Sequence, residues 1–214
     1  MAKRAKRPAA GKSASGTKAG AKRKTSAPAK GSAKASAAPP GTRFPAELRR
    51  RAAAVRLLAF DSDGTLTDRG MGWDDAGHEF RRFDVRDGLA MKWAMRAGLH
   101  VVVVSGRISR AAGHRFADLE IPDYQGAQDK VAVLERLVQE RGLEAQQVAY
   151  LGDDLPDLQA LYWCGLPLAV ADAHPLVRAA SVWSAPSPGG RGAVREAIEA
   201  VLDATDLWHT VLER

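Results

Sequence analysis

The sequence has very few cysteines and no long apolar runs. Its single cysteine, Cys164, cannot form a disulfide within the chain, which fits a reducing compartment. Because it lies in an apolar stretch, we expect a buried, inert thiol. No apolar run approaches the ~18 residues of a membrane span, and the basic N-terminus lacks the apolar core of a secretory signal. These absences predict a cytoplasmic protein.

Acidic residues are missing from residues 1–46, which hold 12 of the 32 Lys and Arg residues. The rest of the chain has 20 basic and 25 acidic residues, so the net charge of +7 comes from the N-terminal segment. We interpret 1–42 as a disordered tail that cannot bury enough apolar surface to fold, and 43–214 as one domain. A solubilising extension, a weak nucleic-acid contact and a transit peptide remain open for the tail.

Beyond residue 45, short apolar runs alternate with segments of helical period, which predicts an α/β fold with a doubly wound parallel sheet. Four runs are typical of buried strands, and two shorter ones are weaker candidates. A polar segment at 67–84 is interpreted as a small β-hairpin. The expected strands are 55–60, 101–104, 148–151 and 166–170, with 124–125 and 181–183 as the weaker pair. The expected helices are 89–97, 130–141, 155–163 and 193–204.

Polar residues follow three of these strands directly. They are Asp61-Ser62-Asp63-Gly64, Ser105-Gly106-Arg107, and Gly152-Asp153-Asp154 with Asp157, and Lys130 begins the intervening helix. Each motif alone is typical of a turn, a helix N-cap or a solvated charge. In this order they indicate a site at the carboxyl ends of the strands, where ligands bind on such sheets.

Several carboxylates on one rim need a compensating cation. Two carboxylates 4 Å apart repel by roughly 4 kcal/mol at an effective dielectric of 20. Mg²⁺ suits such a rim, because it commonly takes one or two carboxylates and a substrate phosphate oxygen while keeping several waters. The sequence therefore predicts a magnesium site.

These motifs resemble the four motifs of the haloacid-dehalogenase superfamily. Further segments, at 83–88, 124–126, 149–155, 169–175 and 189–196, are similar to the 3-deoxy-D-manno-octulosonate 8-phosphate phosphatase family. The resemblance runs from about residue 55 to 204 and excludes the tail. Ser62, in place of an aliphatic residue, and Leu119-Glu120-Ile121, in place of Leu-Gly-Ile, depart from the family pattern and leave room for a related substrate.

The resemblance implies an aspartate-based phosphatase. Asp61 would attack phosphorus and form an aspartyl-phosphate, and Asp63 would act first as acid and then as base. Mg²⁺ would be held by Asp61, the backbone carbonyl of Asp63, and Asp153.

Other residues would bind the substrate or orient these groups. Lys130, Ser105 and the backbone near Gly106 would bind the phosphoryl oxygens, while Asp154 and Asp157 would orient Lys130 or the waters of the metal. Arg86 and Arg107 would bind the carboxylate or phosphate of the substrate, or else form surface salt bridges.

The spacing leaves no room for a large cap domain, since 41 residues separate Asp63 from Ser105 and 24 separate Ser105 from Lys130. The family implies a homotetramer in which the 67–84 hairpins of neighbouring chains cover the sites. We expect a structural role for His174. The segment 191–196 could be a lid or a helix start.

Three functions remain open at this point. The first is hydrolysis of 3-deoxy-D-manno-octulosonate 8-phosphate in lipopolysaccharide precursor synthesis. The second is the same chemistry on a nine-carbon ketoaldonate phosphate. The third, from a different class, is an idle binding module with a nucleic-acid-binding tail, which the retained Asp61, Asp63, Lys130 and Asp153 argue against.

Overall fold

The computed structural model describes residues 43–212. The tail predicted at 1–42 therefore lies outside the described residues. No helix in the described range is both long and apolar enough to cross a membrane.

A six-stranded, wholly parallel sheet forms the centre of the domain, in the order β5-β4-β1-β6-β7-β8. Its four longest strands are buried along almost their whole length, as expected for strands covered on both faces. The predicted α/β fold is thus confirmed. The strands are β1 (Leu57–Phe60), β4 (His100–Ser105), β5 (Asp123–Gln125), β6 (Val148–Gly152), β7 (Leu166–Ala169) and β8 (Trp183–Ser184).

The register of the sheet aligns the ends of its three central strands. Phe60 at the end of β1 pairs with Val103 of β4 and with Leu151 of β6. The chain leaves β1 first towards β4 and β5, and later returns to β6 on the other side. The residues after β1, β4 and β6 therefore share one crevice at the point where the strand order reverses, which is where open α/β sheets bind ligands.

Eight α-helices flank the sheet between residues 43 and 212. In one group α7 contacts both α1 and α2, and in a second group α5 contacts both α4 and α6. The helices are α1 (Ala46–Ala53), α2 (Val85–Arg96), α3 (Arg110–Asp118), α4 (Lys130–Arg141), α5 (Leu158–Trp163), α6 (Pro175–Ala180), α7 (Ala193–Ala204) and α8 (Trp208–Leu212).

A small hairpin follows β1, as the sequence predicted. Its strands, β2 (Gly72–Trp73) and β3 (Glu79–Phe80), are antiparallel. An isolated bridge between Thr67 and Phe83 closes its base. The hairpin brings Arg81, which follows β3, into contact with Asp63, just beyond the end of β1.

Some helix predictions were wrong in detail. The predicted helix 89–97 begins earlier, at Val85, because the Asp84 carboxylate caps it by accepting from Arg86 N at 2.8 Å and Gly88 fits within the first turn. The predicted helix 155–163 opens as a 3₁₀ turn, Leu155–Asp157, before α5. Four helices were not predicted: α1, α3, α6 and α8. Of these, α1, α3 and α6 bury only one or two side chains each, so no apolar stripe marks them.

Candidate active site

A cavity of about 370 Å³ lies at the carboxyl ends of β1, β4 and β6. Ten residues were predicted from the sequence to form the site, and nine of them line this cavity. Arg86 is the exception. The lining residues are Asp61, Asp63, Ser105, Gly106, Arg107, Ala127, Gln128, Lys130, Asp153, Asp154, Pro156 and Asp157.

The loop after β1 turns sharply so that both of its aspartates reach the cavity. Asp61 N still bonds Leu151 O at 3.0 Å, which continues the ladder to β6. Gly64 then adopts φ +94°, a left-handed conformation that glycine tolerates. A side chain at this position would also overlap the carboxylate of Asp153.

Three buried carboxylates converge here. One oxygen from each of Asp61, Asp153 and Asp157 lies within 4.8 Å of the others. Burial, reinforced by the charge of Asp157, raises the pKa of Asp61 to about 7, although Lys130 opposes the rise. Burial and Asp157 likewise raise the pKa of Asp153 to about 6. Each carboxylate is costly to ionise without a further cation.

Lys130 supplies one cation to this cluster. It begins α4, whose N-cap Asp129 accepts from Ala132 N at 3.0 Å. The buried ammonium lies 2.6 Å from Asp61 Oδ1 and 2.6 Å from Asp157 Oδ1. The single positive charge of Lys130 therefore pairs with two of the three carboxylates.

Asp157 uses both of its oxygens on protein donors. Its Oδ1 accepts from Lys130 and, at 2.7 Å, from the Tyr150 hydroxyl. Its Oδ2 accepts from the backbone N–H groups of Asp153 and Asp154, at 2.9 and 3.2 Å. Asp157 therefore orients the site, while Asp61 and Asp153 are better placed to ligate a metal.

Asp153 and Asp154 have different surroundings. Asp153 is buried, and its Oδ2 accepts from Arg69 Nε at 2.9 Å. Asp154 instead caps the 3₁₀ turn that follows, with its Oδ1 accepting from Leu155 N at 2.8 Å. The N-cap interpretation of this motif thus holds for Asp154.

The hairpin adds residues that the sequence analysis missed. Arg81 forms an ion pair with Asp63, and its side chain is only 1% exposed. The same guanidinium pairs with Glu79, Nε to Oε1, at 2.7 Å. Burial is the main reason why the pKa of Arg81 lies below its usual value, with the charge of Arg107 adding to the effect. Glu79 and Arg81 are two residues apart, as for side chains on one side of a strand, but β3 has only two residues and gives too short a pattern to select them from sequence.

The loop after β4 lines the opposite wall. Ser105 is buried, and its Oγ accepts from Arg107 N at 3.3 Å. Arg107 lies 3.4 Å from Glu79 Oε1, so this loop also contacts the hairpin. Arg86 does not reach the cavity. Its guanidinium bonds the Asp84 carboxylate at 2.6 Å and Arg191 O at 2.9 Å.

Three residues outside the cavity have structural roles. Cys164 is buried, and burial raises the pKa of its thiol to about 12, as expected for an inert cysteine. His174 caps α6, since its Nδ1 accepts from Leu176 N at 3.2 Å. Glu196 lies in the first turn of α7 and accepts from Ser187 N at 2.8 Å, so the second half of the 191–196 segment is a helix start.

The donor set fits Mg²⁺. Asp61 and Asp153 offer hard oxygens on a buried rim, and because burial raises the pKa of both carboxyls, a further cation would favour their ionised forms. The adjacent cavity leaves space for waters and a phosphate.

Comparison with known proteins agrees with this geometry. The haloacid dehalogenase-like hydrolase family matches residues 124–198. The 3-deoxy-D-manno-octulosonate 8-phosphate phosphatase of Yersinia pestis is 37% identical over 158 residues, which span 73% of this chain and 84% of that protein.

Solved structures give the same result. The 3-deoxy-D-manno-octulosonate 8-phosphate phosphatase of Moraxella catarrhalis, solved with a magnesium ion, a phosphate ion and KDO, is 34% identical with a TM-score of 0.75. The match covers 78% of this chain and 96% of that one. A hypothetical protein from Xanthomonas campestris is 43% identical with a TM-score of 0.76, covering 79% and 93%. This chain therefore belongs to the 3-deoxy-D-manno-octulosonate 8-phosphate phosphatase family of the haloacid dehalogenase-like hydrolases.

Proposed function

We propose that this chain is a Mg²⁺-dependent phosphatase that hydrolyses 3-deoxy-D-manno-octulosonate 8-phosphate to the free sugar acid and phosphate. The main support for the proposal is that four buried side chains lie together at one cavity: Asp61, Asp153, Asp157 and Lys130. The Yersinia pestis relative, whose name states this activity, supports the choice of substrate.

Asp61 is the proposed nucleophile. One of its carboxylate oxygens attacks phosphorus, the bond to the sugar oxygen breaks, and an aspartyl-phosphate forms. Asp63, two residues on and on the same cavity wall, gives a proton to the departing sugar oxygen. It then takes a proton from the water that hydrolyses the aspartyl-phosphate, so it returns to its starting state.

Positive charge and hydrogen-bond donors hold the phosphoryl group. Lys130 contacts Asp61 directly, which places its ammonium beside the oxygens that gain negative charge as the reaction proceeds. Ser105 and the backbone at Gly106 line the same cavity and donate to the remaining oxygens. Asp157 keeps Lys130 in position.

Asp61, Asp153 and the backbone carbonyl of Asp63 are the proposed Mg²⁺ ligands. When bound, the ion offsets the repulsion between the carboxylates and the phosphate and draws charge from the phosphoryl oxygens. Asp154, on the cavity rim, orients waters at this site.

The sugar acid carries a carboxylate that needs a cationic partner. Arg107 lines the cavity, so its guanidinium is the proposed partner. Arg81, whose side chain is 1% exposed, meets Arg107 at Glu79 and supports it from behind the cavity wall. Arg86 is a weaker candidate within a single chain, because it pairs with Asp84 outside the cavity. A nine-carbon ketoaldonate phosphate would meet the same groups and is the alternative substrate.

A homotetramer is the proposed assembly. Three large apolar side chains of the hairpin, Met71, Trp73 and Phe80, are 43%, 55% and 61% exposed, an area that packing against another chain would bury. Such packing would enclose the cavities, since each domain has only a small hairpin to cover its own.

A substrate panel tests the proposal. Phosphate release is measured with Mg²⁺ present for the eight-carbon and nine-carbon sugar-acid phosphates and for simple sugar phosphates without a carboxylate. We expect the eight-carbon acid to give the highest kcat/KM. A preference for the nine-carbon compound would keep the chemistry and change the substrate. Equal rates for sugars without a carboxylate would refute the assignment of Arg107.

A further inference from the structure

Arg69 has a backbone conformation that arginine rarely adopts. Its φ is +64°, one of only three positive values among the non-glycine residues between positions 43 and 212. Residues held in this region are strained and persist only where their surroundings fix them. The strain at Arg69 must therefore be offset by the contacts of its side chain.

The guanidinium of Arg69 bridges two carboxylates. Its Nε donates to Asp153 Oδ2 at 2.9 Å, while Nη1 lies 2.5 Å from Asp172 Oδ2 and Nη2 donates to Asp172 O at 3.0 Å. The Arg69 side chain is 42% exposed and that of Asp153 is 3% exposed. One side of the guanidinium thus faces water and the other covers a buried carboxylate of the cavity.

We propose that the guanidinium of Arg69 neutralises the carboxylate of Asp153 and thereby lowers the affinity of the site formed by Asp61 and Asp153 for Mg²⁺. This inference rests on the proposed function, which makes Asp153 a Mg²⁺ ligand. Arg69 is a positioning residue in this account, because it acts through Asp153.

Charge, and not the placement of Asp153, decides the direction of the effect. The backbone of Asp153 is fixed by other bonds, since its N–H donates to Asp157 Oδ2 at 2.9 Å and its carbonyl accepts from His174 N at 2.8 Å. Its carboxylate also accepts from Thr65 Oγ1 at 3.4 Å, through Oδ1. Removing the guanidinium leaves these bonds in place. It deletes a positive charge next to the incoming ion and leaves a buried carboxylate without its cationic partner, and both changes favour Mg²⁺.

The chain offers a suitable set of variants. Arg69→Asn removes the charge, and Asn tolerates the left-handed conformation. Arg69→Gly removes both charge and strain, and serves as a second variant if the first folds poorly. Arg69→Lys keeps the charge. Arg82→Asn is the matched control. Arg82 pairs with Asp68, which is not one of the proposed Mg²⁺ ligands, and this substitution changes the net charge by the same amount.

The experiment measures Mg²⁺ binding to the full-length chain by titration calorimetry with MgCl₂, without substrate. We expect Arg69→Asn and Arg69→Gly to bind Mg²⁺ at least about tenfold more tightly than the wild type, and Arg69→Lys and Arg82→Asn to stay within about twofold. Thermal unfolding gives a second readout, in which Mg²⁺ raises the Tm of Arg69→Asn more than that of the wild type.

The outcomes separate this inference from the proposed function. Unchanged or weaker Mg²⁺ binding by both Arg69→Asn and Arg69→Gly would overturn the inference and leave the proposed function intact. A wild-type chain that binds no Mg²⁺ would overturn both.

Discussion

The ammonium of Lys130 lies 2.6 Å from a carboxylate oxygen of Asp61, and both side chains are less than 10% exposed. This pair joins the proposed nucleophile to the charge that would bind the phosphoryl oxygens. Because Lys130 also contacts Asp157 at 2.6 Å, it bears on both catalysis and stability.

Replacing Lys130 by Met should therefore lower kcat by about 10²–10³, the usual effect of losing one donor to a charge that develops in the transition state. It should also destabilise the metal-free protein by about 3–5 kcal/mol, since two buried carboxylates lose their partner. Phosphate release and urea unfolding in EDTA measure the two effects. Lys92→Met is the control, because Lys92 pairs with the exposed Glu120. Equal effects of the two substitutions would contradict this account.

Arg81 and Arg82 provide a second comparison, since they are neighbours with different surroundings. Arg81 is buried against Asp63 and Glu79, whereas Arg82 is exposed and pairs with Asp68. We expect Arg81→Met to lower kcat/KM by about 10–100-fold, because both the acid–base residue and the proposed carboxylate site lose a partner. Arg82→Met should change it less than about twofold. A steady-state assay of the two variants checks this, and similar losses would refute the role of Arg81.

Ser62 should be a site where the protein can be stabilised. Its hydroxyl is buried and has no hydrogen-bond partner among the described residues. Ser62→Ala removes this unsatisfied group and should raise the free energy of unfolding by about 1 kcal/mol. In contrast, Ser181→Ala should lower it, because Ser181 Oγ donates to Val177 O at 2.9 Å. Urea unfolding of both variants measures the difference, and a loss of stability in Ser62→Ala would show that its hydroxyl has a partner.

Asp87 should make stability depend on pH. It is buried, it accepts from Arg195 N at 2.7 Å, and burial raises its pKa to about 6 from 3.8. The folded chain therefore binds this proton more tightly than the unfolded chain. The protonated carboxyl of Asp87 therefore adds to the free energy of unfolding at low pH, and this contribution is lost as the pH rises through about 4 to 6.

The variant Asp87→Asn cannot ionise, so its stability relative to the wild type should rise between pH 4 and pH 7, by up to about 3 kcal/mol for two pKa units. Urea unfolding at several pH values measures this change. A difference that stays flat across that range would contradict the raised pKa.

The sequence predicted the parts of the site that follow buried strands. Asp61, Ser105 and Asp153 come directly after apolar runs, and parallel strands deliver such residues to one edge. Lys130 could be placed because it begins the helix predicted at 130–141, and the structure gives this helix the same bounds. These features depend on local pattern and on the sheet alone.

The sequence could not predict the contacts made by the hairpin and its base. Arg81 and Glu79 lie on or next to strands of only two residues, which carry almost no periodic signal. Arg69 reaches Asp153 across 84 positions of the chain, and no local pattern marks either this contact or its positive φ. Arg86 was selected by its chemistry alone, and within one chain its nearest carboxylate is Asp84, outside the cavity.

The role of Asp61 is the central claim, and a single measurement tests it most directly. The chain is mixed with ³²P-labelled sugar-acid phosphate and Mg²⁺, quenched in acid, and assayed for label bound to the protein. We predict bound label in the wild type, and neither bound label nor turnover in a folded Asp61→Asn variant. Turnover by Asp61→Asn at the wild-type rate would contradict the account.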